Sequence, residues 1–103
     1  MTKTLTVCAE LRAAPGKGDA LAALLVEQMA AVRASEPGCT AYLAHRSTTD
    51  PELFFFYETY VDDAAFDVHR ASPVLAKFRE RRERDALTEG GAKVSLYRAV
   101  TGT

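Results

Sequence analysis

Three features of the amino-acid sequence predict an α+β fold with the element order β-α-β-β-α-β. Apolar and polar residues alternate near both ends, one long segment carries an apolar stripe of helical period, and two apolar segments are joined by a short polar loop. The 103 residues make one domain, residues 1–103. A domain this small buries a modest share of its surface, so a partner subunit would add useful apolar burial.

The first strand, β1, covers about residues 4–11, where Leu5, Val7, Ala9 and Leu11 alternate with Thr4, Thr6, Cys8 and Glu10. Pro15-Gly16 ends it. A helix, α1, follows over about 17–35. Leu21, Leu24, Leu25, Met29 and Val32 share one face of a 3.6-residue period, and the alanines between them raise helix propensity. Asp19 suits the positive end of the helix dipole, and Pro37-Gly38 stops the helix. Cys39–Arg46 reads as β2, Thr48-Thr49-Asp50-Pro51 as a turn, and Leu53–Tyr60 as β3, so the two strands form a hairpin. Asp62 or Asp63 caps a second helix, α2, carrying Phe66, Val68 and His69. Ser72-Pro73 breaks it, and Pro73 opens a further helix, α3, running through Arg84. Gly90-Gly91 ends the helical region. Alternation over about 93–100 gives β4, and the last three residues are expected to fray. This order is the split-βαβ, ferredoxin-like motif, in which β1 and β2 lie parallel with β3 between them. Cys8 and Cys39 then sit on non-neighbouring strands, too far apart for a disulfide.

Strand β3 does not alternate apolar with polar. Phe54 and Phe56 point one way, Phe55 and Tyr57 the other. The chain's own helices cover one face, and a second copy of the same sheet is the simplest cover for the other, because monomers avoid exposing aromatic patches of that size. A homodimer is expected on this ground.

The net charge of −1, from 13 basic and 14 acidic residues, gives no global field to attract nucleic acid or anionic lipid. The densest basic stretch, residues 77–84, is interrupted by Glu80 and Glu83 and reads as a solvated helix face. No segment approaches the ~20 apolar residues that span a bilayer, and the N-terminal residues lack a signal-peptide layout, so no membrane association and a cytoplasmic location are expected. Two cysteines and two histidines are too few for a disulfide framework or a histidine-rich metal site within one subunit. No phosphate loop, dinucleotide fingerprint or nucleophile elbow occurs. Any chemistry must run on a small acid–base set and the reactivity of the substrate.

His69 is the leading candidate, one turn after Phe66 and beside the Ser72-Pro73 break, where an interrupted helix leaves room above a sheet. The competing reading is a half-exposed helical histidine near a helix end. Glu58 is the second candidate. An acid within the most apolar strand needs a partner, and it either orients His69 or forms a structural ion pair with Arg46 or Arg98. Arg46 is solvated or a substrate contact. Tyr42, Tyr57, Tyr60 and Tyr97 either stack on an aromatic ligand or serve as core and interface residues. His45, beside the turn, reads as exposed.

In order along the chain, Pro15-Gly16-Lys17, Glu36-Pro37-Gly38-Cys39, Tyr42, Arg46, Tyr57-Glu58, Asp63, Ala65, His69, Ser72-Pro73 and Phe78 resemble the antibiotic-biosynthesis monooxygenase family, which includes quinol monooxygenases. The resemblance runs from about residue 5 to residue 100. It implies a dimer whose sheets pack as an α/β barrel, with a pocket between sheet and helices in each subunit. It also implies oxidation of a small phenolic or quinol-type aromatic substrate by O2, with no flavin, haem or metal cofactor. His69 matches the family's helix histidine and Glu58 its strand glutamate, giving His69 the acid–base role and Glu58 the orienting one. Arg46, Tyr42, Tyr57 and Phe66 become candidate substrate contacts. Related haem-degrading enzymes use an Asn and a Trp, and this chain contains neither. A non-catalytic dimeric binding or stress-response module is the second reading. An isomerase of a small phosphorylated sugar is the third, kept open by Arg46 and Arg70.

Overall fold

A computed structural model describes residues 2–101 and carries the expected order: β1 Leu5–Arg12, α1 Gly18–Ser35, β2 Cys39–Arg46, β3 Leu53–Tyr60, α2 Asp63–Arg70, α3 Pro73–Arg84 and β4 Lys93–Arg98. Strand β4 stops two residues short of its expected end. Of the three residues expected to fray, Gly102 and Thr103 lie outside the described residues. The sheet order is β2-β3-β1-β4 and every pairing is antiparallel, which is the ferredoxin-like arrangement. Cys8 faces Tyr57 across β1 and β3, while Cys39 is on β2, so both thiols are free.

Period two decides which face of the sheet is inside. Leu5, Val7, Ala9 and Leu11 of β1 are buried beneath the helices with Phe54, Phe56 and Tyr60 of β3 and Tyr42 of β2. Against them α1 lays Leu21, Leu24, Leu25 and Val32, all buried, and Met29 fills in as a partly buried neighbour. Each fully buried Leu of that stripe contributes about 2 kcal/mol of transfer free energy. The opposite face is open in the single chain. Phe55 and Tyr57 are 39% and 40% exposed, and Leu43 and Tyr97 are exposed beside them. Helical cover therefore reaches only one of the two apolar faces of β3.

Local chemistry sets how α2 and α3 meet above the sheet. The Asp62 carboxylate accepts from the Ala65 amide (2.9 Å) and starts α2. The Ser72 hydroxyl accepts from the Val74 amide (3.0 Å) and caps α3, whose first residue is Pro73. Gly38 lets α2 approach closely, since a Cβ there would lie 2.7 Å from the Ala65 Cβ. The loop leaving α1 is thereby pressed against α2, and Glu36 comes under His69.

Candidate active site

Beside the break between α2 and α3 lies a cavity of about 350 Å³ between the helices and the sheet, lined from all four strands. Its walls are mostly apolar, with Phe66, Leu75 and Phe78 from the helices and Val7, Ala9 and Phe56 from the strands. Val94 and Leu96 of β4 also line it and are about half exposed, so the cavity opens along that edge. Its size lies at the lower end of the range for small-molecule sites.

One end of the cavity is polar. His69 is buried, and its Nδ1 donates to Oε1 of buried Glu36 over 2.8 Å. A carboxylate only accepts, so this bond puts the imidazole proton on Nδ1 and leaves a lone pair on Nε2. Nε2 lies 4.0 Å from Oε1 of Glu58, beyond hydrogen-bond reach. Glu58 instead accepts from the Tyr60 hydroxyl at 2.6 Å. The Tyr42 ring stands 5.4 Å from the imidazole, and the Phe66 ring lies nearly parallel to it at 6.3 Å.

The electrostatics follow from burial. Loss of hydration pushes the Glu58 carboxyl up to about 7; the Tyr60 hydrogen bond opposes this and the charge of Glu36 adds to it. Burial lowers the pKa of His69, while Glu36 pulls the other way. At neutral pH the imidazole is therefore uncharged and ready to accept a proton at Nε2. Burial likewise raises the Tyr42 and Tyr60 phenols, which stay protonated, and lifts the Cys39 thiol to about 11.

Four of the six residues singled out in the sequence meet here: His69, Glu58, Tyr42 and Phe66 all line the cavity. The other two do not. Arg46 donates to the Pro51 carbonyl and to Asp19, which ties it to the β2–β3 turn and the start of α1. Tyr57 points to the opposite face, as the alternation of β3 requires. Neither ion-pair partner offered for Glu58 is used, since Arg98 binds Asp63. The group that orients His69 is Glu36, not Glu58. Glu36 stands directly before the helix-stopping Pro37-Gly38, so sequence alone reads it as punctuation. Arg82 was also hidden. It falls in the charged stretch that reads as solvated, yet it is buried and lines the cavity. Its position seven residues after Leu75 and four after Phe78, on the same helix face, was the available signal.

Comparison with known proteins agrees with this fold. Residues 4–81 match the antibiotic biosynthesis monooxygenase family. The chain belongs to this family. A solved structure described as an antibiotic biosynthesis monooxygenase is 30% identical, with a TM-score of 0.81 and coverage of 94% of this chain and 99% of that one. A protein of solved structure from Pseudomonas aeruginosa is 32% identical over 98% of both chains, with a TM-score of 0.84. One from Shewanella oneidensis is 29% identical over 94% and 91%, with a TM-score of 0.82. An uncharacterized protein of Synechocystis is 33% identical over 64 residues, and that match spans 62% of this chain and 42% of the relative. Among the described residues no helix is long and apolar enough to cross a membrane, and no cluster of His, Cys, Asp or Glu could hold a metal ion.

Proposed function

We propose that this member of the antibiotic biosynthesis monooxygenase family is a cofactor-independent monooxygenase of a small phenolic or quinol-type substrate. The observation that carries the reading is His69 in the wall of an apolar cavity, with Nδ1 of its imidazole engaged by Glu36 behind it and Nε2 free. An electron-rich phenol in the cavity gives a proton to Nε2 of His69. The resulting anion transfers electrons to O2 and takes up oxygen at a ring carbon as a hydroperoxide. That group then loses water, so one oxygen atom stays in the product as a carbonyl and the other leaves as H2O. The substrate carbon supplies all the electrons, and the balance needs no further reductant. Glu36 stabilises the imidazolium formed on the way, and the apolar walls keep water from the anion. Glu58 and Tyr42 flank the substrate as polar contacts. Of the two arginines that keep the isomerase reading open, Arg46 is tied to Asp19 and does not line the cavity, and Arg70 lines it but is paired with Asp67.

The working unit in this reading is a homodimer, in which a second sheet covers Leu43, Phe55 and Tyr57. Oxygen uptake tests the chemistry. An anthrone or quinol should be oxidised with no added cofactor, and His69→Ala should lose about 10²–10⁴ in rate with unchanged circular dichroism. Binding of a phenol without oxygen uptake would refute the reaction and leave a ligand-binding module.

A further inference from the structure

The arginines of α3 differ in what they meet. Arg81 pairs with Glu27 at 2.8 Å and Arg84 with Asp85 at 3.3 Å, both near the surface. Arg82 faces the cavity and is 9% exposed. It has no carboxylate partner among the described residues, and its Nε makes no hydrogen bond. Its guanidinium lies over the Phe78 ring, 4.9 Å from the centroid. Stacking holds the planar group in place without meeting its donors. A buried cation without a counter-charge is costly, and loss of hydration accordingly lowers the affinity of Arg82 for its proton. Exposed Arg79 and Arg70 also line the cavity, and Arg70 is already tied to Asp67.

We propose that Arg82 is the binding group for a carboxylate carried by the aromatic substrate, so that the cavity takes phenols bearing an acid substituent in preference to neutral ones. The inference rests on the reading above only in placing an aromatic in this cavity. A carboxylate fits one guanidinium edge and completes its orphaned Nε. A phosphate dianion calls for several converging donors, and of the other two arginines at the cavity Arg70 is already paired with Asp67 and Arg79 is exposed to solvent. The acid group held at Arg82 orients the ring, leaving His69 to act on its hydroxyl.

Anaerobic calorimetry with 3-hydroxy-2-naphthoic acid, 2-naphthol and 2-naphthyl phosphate tests this without turnover. Wild type should bind the acid about 10–100-fold more tightly than 2-naphthol, as expected for a charge-assisted hydrogen bond. Arg82→Gln should lose the about 10–100-fold preference for the acid over 2-naphthol. Arg82→Lys, which keeps the charge and loses the planar fork, should retain part of it and serves if the Gln variant does not fold. Equal binding of acid and naphthol by wild type, tighter binding of the phosphate, no binding of any of them, or a preference that survives in Arg82→Gln would each overturn the proposal. Acid preference without oxygen uptake in the separate assay would leave it standing while the monooxygenase reading falls.

Discussion

Replacing Glu58 by Gln tests the polar end of the cavity through stability alone. Burial raises the Glu58 carboxyl from an ordinary 4.5 to about 7. Between those values the folded protein keeps a proton that the unfolded chain has released. The folded state therefore binds more protons, and this group's contribution to stability falls as pH rises from 4.5 to about 7, then stays level. At about 1.4 kcal/mol for each tenfold change in proton affinity, the ionised form costs about 3 kcal/mol above pH 7. Gln keeps an oxygen to accept from Tyr60 and carries no charge. Burial moves His69 in the opposite direction, so its contribution to stability rises with pH up to its ordinary 6.5. That term is common to both proteins and cancels in the difference between them.

Urea denaturation of wild type and Glu58→Gln at pH 5 and pH 8, at one fixed protein concentration, reads the effect. The stability difference in favour of the variant should grow by about 2–3 kcal/mol between the two pH values. In thermal melts this corresponds to a relative rise of roughly 10 °C or more for a domain of this size. A difference that does not change with pH would refute the account of Glu58 as a buried carboxyl held near neutrality.

Glu36→Gln keeps an acceptor for Nδ1 and removes the charge that favours the imidazolium; the rate should fall about tenfold or more, and the acid limb of the pH–rate profile should move to lower pH. Gly38→Ala should destabilise the fold by about 1–3 kcal/mol in denaturant titrations, because its new Cβ meets Ala65 at 2.7 Å and pushes α2 away from Glu36. Wild type should run as a dimer in light scattering at micromolar concentration, and Tyr57→Lys, altering only the exposed face, should shift it toward monomer; a monomeric wild type would refute the homodimer.

The fold was legible because its signals are local and periodic. Strands β2 and β3 begin and end where the sequence places them, since Pro37-Gly38 and the Thr48–Pro51 turn punctuate both sides. The cavity was legible from Ser72-Pro73, the break beside which it lies. The partner of His69 was not. Glu36 precedes it by 33 residues, and only the close approach of Gly38 to Ala65 brings the two together. Arg46 is absent from the cavity lining for a related reason. Its ion-pair partner, Asp19, stands 27 residues earlier at the start of α1, a pairing that no spacing in the sequence reveals. Arg82 was obscured because a run of alternating charges suggests solvent on every side of a helix, although one residue in each turn must face the sheet.

The parity of β3 ties these features together. Phe54, Phe56, Glu58 and Tyr60 all point beneath the helices, so Glu58 occupies a position that the pattern reserves for an apolar side chain. An apolar residue there would avoid a cost of about 3 kcal/mol at neutral pH, and one in place of Arg82 would avoid a second desolvated charge. Two such departures from an otherwise regular core, both lining the same cavity, are hard to account for by packing alone. A ligand with a hydroxyl held beside His69 and a negative charge to place would give each of them a function, Glu58 as a polar contact and Arg82 as the counter-charge.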